Sequence, residues 1–226
     1  MAVFNFDQMD NYIQTNSDNI SFLKLADDKW SAKIRFMYGP GETFQGYSVH
    51  KICTDPTKPK FVPCLREAGQ PLDVCPLCNS GNPAMAQFYI PVYVISVTKC
   101  INGVPQAEEV VNQAMLLQRG KTFAGCLASA VRQSAGTPLV NNVFNIVRNG
   151  RAKDTSTTYL LEFVSRDNTS LNDLPERVEA LGTYILPNVN YNEMLTMVNT
   201  PQTVVPRTIG IPQATVNGQV PPVRPF

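Results

Sequence analysis

Residues 49–78 read VHKICTDPTKPKFVPCLREAGQPLDVCPLC, and this stretch determines how the rest of the chain is interpreted. It contains four of the six cysteines and the only histidine, His50. Prolines interrupt it and no hydrophobic period runs through it, so it has no core of its own. A small module of this composition needs another source of stability, and clustered thiols indicate a metal ion.

Composition and length bound the class of protein. The 226 residues allow one domain with appendages or two small ones, and a hydrophobic fraction of 43% suffices for a buried core. The N-terminus has no basic region followed by an apolar one, and no run approaches about 18 apolar residues. We therefore expect a soluble, cytoplasmic protein. In that reducing compartment, thiols bind metal more often than they form disulfides.

Zinc is the metal that the cysteine pattern predicts. Cys75-Pro-Leu-Cys78 is a C-x2-C turn whose two sulfurs reach one ion, and tetrahedral zinc takes four N or S ligands. Ten residues separate Cys64 from this turn, and Cys64 supplies a third ligand. Because side chains alternate along a strand, His50 and Cys53 point to opposite faces, and only one of them easily becomes the fourth ligand. The residues therefore predict one structural zinc, bound by Cys64, Cys75, Cys78 and either His50 or Cys53.

A catalytic zinc is not expected. Catalytic sites keep an open position and place an acid or base beside the ligands, whereas Glu67 and Asp73 lie near the cysteines without an H-x-E or HExxH arrangement. The single histidine also excludes other histidine-based constellations, and the paired carboxylates of a metal-dependent nuclease are missing. We expect a protein that is not an enzyme.

The regular elements on both sides of this stretch are predominantly β-strands. Alternating apolar and polar residues and β-branched runs predict strands, whereas helical spacing of apolar residues in 121–133 predicts an amphipathic helix. The segment from about 21 to 50 is predicted to form two strands joined by a Gly/Pro turn at 39–42. Further strands are predicted at 88–99, with a turn at Asn102-Gly103, at 111–118 and in two stretches within 142–165, and further helices at 175–185 and 190–198. The predicted fold class is mainly β with a few helices.

Charge is distributed unevenly, although the net charge is only +1. Residues 20–160 carry fifteen Lys/Arg against nine Asp/Glu, whereas 1–19 and 161–226 have balances of −3 and −2. In this basic middle, cations interleave with aromatic rings, the combination that binds single-stranded nucleic acid, with rings stacking on bases at about 1–3 kcal/mol per base. The candidate contacts are Lys29, Trp30, Lys33, Arg35, Tyr38, Tyr47, Lys51, Lys58, Lys60, Tyr89, Tyr93, Lys99, Arg119, Lys121, Arg148, Arg151 and Lys153, and Tyr159 is a further ring of this region.

Eight other assignments concern the aromatic residues themselves. Four phenylalanines lie at apolar strand positions, where burial in the core is expected: Phe36, Phe88, Phe144 and Phe163. Four rings lie beside basic or polar residues, where core packing and base stacking are equally expected: Trp30, Tyr38, Tyr47 and Tyr89.

With these residues assembled, the chain resembles the T-even-type phage single-stranded-DNA-binding proteins, also called helix-destabilising proteins. That family has an OB-fold with an inserted zinc ribbon whose ligands follow a His, Cys, Cys-x2-Cys order. Here thirteen, ten and two residues separate His50, Cys64, Cys75 and Cys78, close to the family's spacing, and the resemblance selects His50 over Cys53. It covers about 20–165, where QFYIPVYVISVTKCINGVP looks like the long OB strand and its turn. At the ends the chain differs, because residues 1–19 are acidic where the family's arm is basic, and the last residues, VPPVRPF, have no acid where the family's tail is acidic.

The resemblance implies a non-enzymatic protein that coats and protects single-stranded DNA (ssDNA) without strong sequence preference during phage DNA replication, recombination or repair. It implies self-association along DNA and replication proteins as partners of the C-terminal tail, with no membrane partner. The predicted parts are an N-terminal arm (1–19), an OB-fold core (20–165) with the zinc ribbon inserted at about 50–83, a helical extension (166–199) and a proline-rich, disordered tail (200–226). The alternative interpretation is a zinc-ribbon protein-interaction module of a replication or transcription complex.

Overall fold

The computed structural model describes residues 22–39, 41–52, 60–134, 136–152, 154, 156–182 and 184–199. Three predicted site residues, Cys53, Lys58 and Lys153, lie outside the described residues, as do the predicted N-terminal arm and proline-rich tail. For Lys60 only the backbone is described. None of the helices in the described part is long and apolar enough to cross a membrane.

Strands dominate the described residues, which confirms the predicted mainly β class. They are β1 (Ser31–Phe36), β2 (Gly46–Ile52), β3 (Lys60–Pro63), β4 (Met85–Thr98), β5 (Cys100–Ile101), β6 (Val104–Pro105), β7 (Glu109–Gly120), β8 (Asn142–Asn149) and β9 (Thr158–Arg166). The α-helices are α1 (Pro76–Asn79), α2 (Ala124–Gln133) and α3 (Tyr191–Asn199), with 3-10 turns at Leu72–Val74, Lys121–Phe123, Leu139–Asn141 and Leu171–Asp173.

The central element is the fourteen-residue strand β4. One edge of β4 pairs with β7 from Gln87 to Val97. The other edge pairs first with β2 and then with β1, so that two different strands share it. Strand β3 extends the sheet beyond β2, and β8 and β9 extend it beyond β1, all in antiparallel pairs. The β-branched and aromatic composition of β4 suits a strand flanked on both edges.

The sheet is antiparallel and is not closed. Among the described strand ladders, β7 pairs with β4 alone and β9 with β8 alone, and we call the gap between them the β7–β9 seam. Helix α2 follows β7 and reaches across to β9, where the Cys126 thiol donates to the Tyr159 carbonyl at 3.1 Å and the Gln133 side chain accepts from the Phe163 N–H at 3.0 Å. The helix therefore covers the seam, and its apolar face buries Leu127 in the main core.

Three buried clusters hold the described part together. The main core lies between the sheet and α2 and contains Ile34, Phe36, Ile90, Val92, Leu117, Phe144 and Ile146. The other two lie on opposite faces of the β2–β3 hairpin, because side chains alternate along β2. One face carries His50 and Ile52, and Ile52 packs with the cysteines. The other carries Val49, which packs with Tyr89 and Ile185.

One predicted helix is wrong. The described residues of 175–185 form no helix, and the N–H groups of Tyr184 and Ile185 both donate to the Ala180 carbonyl. Gly182 has φ = 85°, a left-handed conformation that ends any helical run. Packing of Ala180 and Ile185 against β2 and β3 outweighs the local helical pattern. The helix predicted at 190–198 is confirmed as α3.

The four predicted core phenylalanines have different positions. Phe36 and Phe144 are fully buried, and Phe88 is half-buried against the main core. Phe163 is 42% exposed, so its predicted burial is wrong. Its strand, β9, is an edge strand, and α2 ends beside it at Gln133, which leaves the last part of β9 uncovered.

Arg35 is buried inside the fold rather than displayed for DNA. Its Nε donates to the Val140 carbonyl at 2.7 Å, its Nη2 to the Thr169 carbonyl at 2.7 Å and its Nη1 to Asp167 at 2.9 Å. The side chain has no exposed surface. The prediction of Arg35 as a DNA contact is therefore corrected, because its guanidinium joins β1 to the segments beside β8 and after β9.

We expect Asp167→Asn to lower the free energy of unfolding by about 1–2 kcal/mol, since it leaves Arg35 buried without its counter-ion while Asp167 itself is partly exposed. Hydrogen bonds from Thr169, and then Arg35, hold the pKa of the Asp167 carboxyl below its usual value. A carboxyl whose pKa is lowered by folding stabilises the fold at pH values above its pKa in the unfolded chain, near 3.9. This contribution is lost as the pH falls through the pKa of the folded state. Urea titrations should therefore show the difference between wild type and variant shrinking in acid. The exposed Asp173→Asn is the matched control, and an equal loss there would contradict the assignment.

Candidate metal centre and nucleic-acid interface

Four side chains predicted as zinc ligands meet at one point. His50 lies in β2, Cys64 directly after β3, Cys75 before α1 and Cys78 within α1. Their ligand atoms all lie within 4.8 Å of one another. Measured separations are 3.3 Å (Cys75 Sγ to His50 Nε2), 3.8 Å (Cys78 Sγ to His50 Nε2) and 3.6 Å (Cys64 Sγ to Cys78 Sγ). Tetrahedral zinc with ordinary bond lengths separates its ligand atoms by about 3.6–3.8 Å, and the three separations lie within about 0.3 Å of that range, so the cluster fits the ion.

Local structure explains why these residues converge. The β2–β3 hairpin places His50 opposite Val62, and the Cys64 N–H donates to the Ser48 carbonyl at 2.7 Å. The C-x2-C turn folds because proline occupies the first turn of α1, a position where its missing N–H costs nothing. This turn brings the sulfurs of Cys75 and Cys78 to the same side.

Outer contacts orient two of the ligands. His50 Nδ1 lies 2.9 Å from the Asn82 carbonyl, so the N–H belongs on Nδ1 and the lone pair of Nε2 faces the sulfurs. Arg66 donates its backbone N–H to Cys64 Sγ at 3.4 Å and its Nη1 to Cys78 Sγ at 3.5 Å. These contacts stabilise negative charge on the sulfurs, which zinc ligands carry.

The electrostatics of the site also suit metal binding. Burial lowers the pKa of His50, which keeps the imidazole neutral, as a ligand must be. Burial raises the pKa of the Cys64 thiol to about 11. Burial acts in the same direction on Cys78, but hydrogen bonds from Arg66 and the neighbouring thiols outweigh it, and the pKa of Cys78 lies below its usual value. Cys78 is thus more easily deprotonated than Cys64, and it lies next to the guanidinium that stabilises its thiolate.

Helix α3 covers the cluster, a contact that the sequence patterns did not predict. Met194 is fully buried, and its Sδ lies 3.7 Å from Cys75 Sγ. Met197, one turn further along, is buried in the same cluster with Leu186 and Val189. The helical extension therefore closes the metal centre, and only the spacing of two methionines on an amphipathic helix pointed to a buried face there.

The donor set is one nitrogen and three sulfurs, which is consistent with one structural zinc ion. Four protein ligands complete a tetrahedron and leave no open position for a substrate. Within the described residues, His50 is the fourth member of the cluster that could hold the ion, whereas Cys53 lies outside them.

We expect the purified full chain to bind one zinc ion and to melt at a lower temperature after chelation, because the binding free energy of a structural zinc is folding free energy. Cys75→Ala should reduce the bound metal below one ion per chain. It should also weaken the thiolate-to-cobalt charge-transfer absorption of the cobalt-substituted protein. Cys126→Ala, which removes a thiol outside the cluster, is the control and should keep one ion. Full folding without metal would contradict the structural role.

Met194→Ala should lower the free energy of unfolding by about 2–4 kcal/mol, since it leaves a cavity against Cys75. It should also speed the release of zinc to a chelator, measured with a chromogenic metal indicator, because the cover of the cluster is weakened. Leu195→Ala removes a neighbouring side chain that is 43% exposed and should change neither quantity much. Equal zinc release from both variants would show that α3 does not protect the cluster.

The predicted cationic contacts differ in exposure. The exposed ones are Lys29, Lys51, Lys99, Lys121 and Arg151, and the partly buried ones are Lys33, Arg119 and Arg148. Two of these lysines are engaged in ion pairs, Lys33 with Glu108 at 2.9 Å and Lys99 with Glu109 at 2.8 Å. Their charges are therefore partly neutralised at the surface.

The predicted aromatic contacts also separate into two groups. Tyr38 and Tyr89 are 6% and 3% exposed, and burial raises the pKa of both phenols, so their prediction as DNA contacts is corrected to core positions. Trp30 is half-buried and donates its Nε1–H to the Cys100 carbonyl at 3.2 Å. Tyr47 and Tyr93 remain partly exposed.

A group of cations and one ring meets at the end of the β7–β9 seam. We call it the seam cluster, which comprises Lys29, Arg119, Lys121, Arg148, Arg151 and Tyr159. The Cζ atom of Arg119 lies 4.2 Å from the centroid of the Tyr159 ring, across the seam. Arg148 is the β8 partner of Tyr159, and its Nη2 donates to the Arg151 carbonyl at 2.8 Å. Lys29 joins this group through its backbone N–H, which donates to the Arg148 carbonyl at 2.8 Å, and Lys121 follows Arg119 by two residues in the chain. Five of the seventeen predicted contacts thus belong to the seam cluster, although they come from distant parts of the chain.

The acidic residues beside the seam cluster are already engaged. Asp27 accepts hydrogen bonds from the backbone N–H groups of Asp28 and Ala152, and Asp154 accepts from Ser156. These carboxylates order the loops around the cations. They form no hydrogen bond with the guanidinium groups of the seam cluster among the contacts of the described residues.

The fold and the site together define a mainly β protein with an antiparallel sheet and a His/Cys₃ cluster fit for one metal ion. Comparison with known proteins adds no relative, because no protein-family model, no curated protein and no solved structure matches the chain.

Proposed function

We propose that the protein binds ssDNA without strong sequence preference and coats it during phage DNA replication, recombination or repair, without catalytic activity of its own. The observation that carries this proposal is the seam cluster. Its cations suit the phosphates of a strand, and its ring offers a surface for bases. In single-stranded complexes this combination gives affinity without base-specific contacts, since every base has a face that stacks.

The proposal includes an OB-type architecture. An OB-fold is a partly open Greek-key barrel that binds oligonucleotides on its surface. Support comes from β4, whose one edge pairs with both β2 and β1, and from α2, which covers the gap where a closed barrel would pair β7 with β9. The seam cluster lies at the end of this gap.

The metal centre has a supporting role in this proposal. Zinc bound by the His/Cys₃ cluster supplies the rigidity that the proline-rich 50–83 insertion lacks. The insertion then forms a fixed wall beside the sheet, because β2 belongs both to the hairpin that carries His50 and to the sheet built on β4.

A second candidate function is protein docking by a zinc-ribbon module of a replication or transcription complex. The observation that favours it is the apolar surface of the edge strand β9, where Leu160, Phe163 and Val164 are 42–47% exposed. A protein of this kind would bind one partner stably and would bind oligonucleotides weakly.

Binding of fluorescein-labelled oligothymidylate by the full chain, followed by anisotropy, tests the proposal. We expect the logarithm of the association constant to fall linearly with the logarithm of salt concentration, by about 0.7 per neutralised phosphate. The double variant Lys121→Ala/Arg151→Ala should lower that slope, whereas Arg132→Ala, an exposed arginine of α2 outside the seam cluster, should not.

Two results would overturn ssDNA binding as the function. One is affinity that does not depend on salt, and the other is tighter binding of a duplex of the same length. A stable protein partner recovered together with negligible oligonucleotide binding would favour the docking function instead.

A further inference from the structure

Arg119 lies in the β7–β9 seam with part of its guanidinium buried and unpaired. It is the penultimate residue of β7, paired with Phe88 of β4, and its guanidinium lies over the Tyr159 ring of β9. Because β7 and β9 do not pair, this cation–π contact is a side-chain bridge across the β7–β9 seam. Cation–π contacts of this kind are weak to moderate, and they use the face of the guanidinium rather than its N–H groups.

The N–H groups of Arg119 are largely without partners. Nη1 donates to the Gln118 carbonyl at 2.6 Å, but Nε and Nη2 are buried and have no hydrogen-bond partner in the described part of the chain. No ion pair of the described residues includes Arg119. A buried cationic donor without a partner is costly, so its presence requires an explanation.

Nearby charge makes this arrangement less favourable still. Burial lowers the pKa of the Arg119 guanidinium, the interaction with Tyr159 opposes this, and the charge of Arg148 acts in the same direction as burial. Arg148 itself donates to the carbonyl groups of Leu25, Gly150 and Arg151 and to the Thr157 hydroxyl. The carboxylates of Asp27 and Asp154 lie near enough to interact with its charge, but neither forms a hydrogen bond with it. Two neighbouring guanidinium groups that lack a hydrogen-bonded carboxylate attract an anion, and a phosphate fits the fork of N–H donors.

We propose that Arg119 is a phosphate-binding residue that covers the Tyr159 ring in the free protein and leaves it when ssDNA binds, so that the ring becomes a stacking surface for a base; this rests on the ssDNA-binding function proposed above. In the free state the Arg119 guanidinium covers the ring, and its Nε and Nη2 donors have no acceptor. In the complex the two donors gain a phosphate and the ring gains a base, which compensates for the lost cation–π contact.

The position of Tyr159 supports this exchange. Its side chain is partly buried against the main core and its ring meets Phe123 edge to face, with centroids 5.9 Å apart, so Phe123 fixes the orientation of the ring. The Tyr159 carbonyl accepts from the Cys126 thiol of α2, which anchors its backbone. Removal of Arg119 from the ring therefore uncovers a surface that its neighbours keep in place.

The test compares Arg119→Met, Arg119→Lys and the matched control Arg132→Met in the full chain, with the labelled oligothymidylate as probe. Arg119→Met keeps an apolar stem but loses the charge, so we expect affinity to fall about tenfold and the salt slope to fall by about 0.7. Arg119→Lys keeps the charge and should keep the slope, with a smaller loss of affinity because the fork is lost. Arg132→Met should behave as wild type.

Thermal melting without DNA distinguishes binding from a structural role. The proposal predicts that Arg119→Met melts at the wild-type temperature or above, because a buried cation with unpaired donors is removed. A purely structural bridge predicts a lower melting temperature with an unchanged salt slope, and that result would overturn the proposal. If Arg119→Met does not fold, Arg119→Lys decides, and wild-type affinity in that variant counts against phosphate binding.

Tyr159→Leu supplies the second arm, with the exposed Tyr191→Leu of α3 as control. Loss of one stacked base should weaken binding about tenfold in the first variant alone. If wild type binds the oligonucleotide and neither Arg119→Met nor Tyr159→Leu differs from it, this inference fails while the proposed function stands. If wild type does not bind, the proposed function fails and the inference fails with it.

Discussion

The convergence of His50, Cys64, Cys75 and Cys78 is the constraint on which much of the remaining structure depends. These four residues come from a strand, a loop and a short turn that share no large core of their own, and their ligand atoms approach within 4.8 Å. The β2–β3 hairpin cannot rotate away without breaking this cluster. Because β2 also pairs with β4, the cluster ties the insertion to the central strand of the sheet.

The same constraint reaches the C-terminal helix. Met194 of α3 contacts Cys75, so the last described helix packs on the metal centre rather than on the main core. On the opposite face of the β2–β3 hairpin, the chain that precedes α3 packs Ala180 and Ile185. The hairpin is thus enclosed from both sides by chain that follows it by more than a hundred residues.

The metal ligands and most strands could be predicted because their signals are local. The spacing of a C-x2-C turn by itself brings two sulfurs within reach of one ion. Alternation in 88–99 and β-branched runs in 142–165 likewise depend on the faces of single strands. Strand parity left His50 and Cys53 as alternatives, because it shows that their side chains point to opposite faces of the strand but not which face meets the cysteines. The resemblance in spacing selected His50. The false helix at 175–185 shows the limit of local patterns, because tertiary packing and the left-handed Gly182 determine that segment.

Positions that depend on distant contacts were not accessible to such patterns. For Tyr38 and Tyr89 the sequence left core packing and base stacking equally expected, and the structure packs the first in the main core and the second against Val49 and Ile185. Arg35 looks like a surface cation, but partners more than a hundred residues away surround its guanidinium. Interleaved charge in a sequence therefore marks candidate contacts and does not distinguish a structural cation from a binding one.

Hydrogen bonding makes that distinction. Arg35 and Arg119 both withdraw their guanidinium groups from solvent, but Arg35 satisfies its charge with a carboxylate and two carbonyls, whereas Arg119 leaves Nε and Nη2 without acceptors. Folding alone accounts for the first arrangement, because each of the three guanidinium nitrogens gains a partner within the chain. It does not account for the second, because the free-energy cost of leaving Nε and Nη2 without acceptors is removed only by an acceptor from outside the chain. The unsatisfied arginine, and not the abundance of lysine at the surface, is therefore the feature of this fold that most directly calls for an anionic ligand.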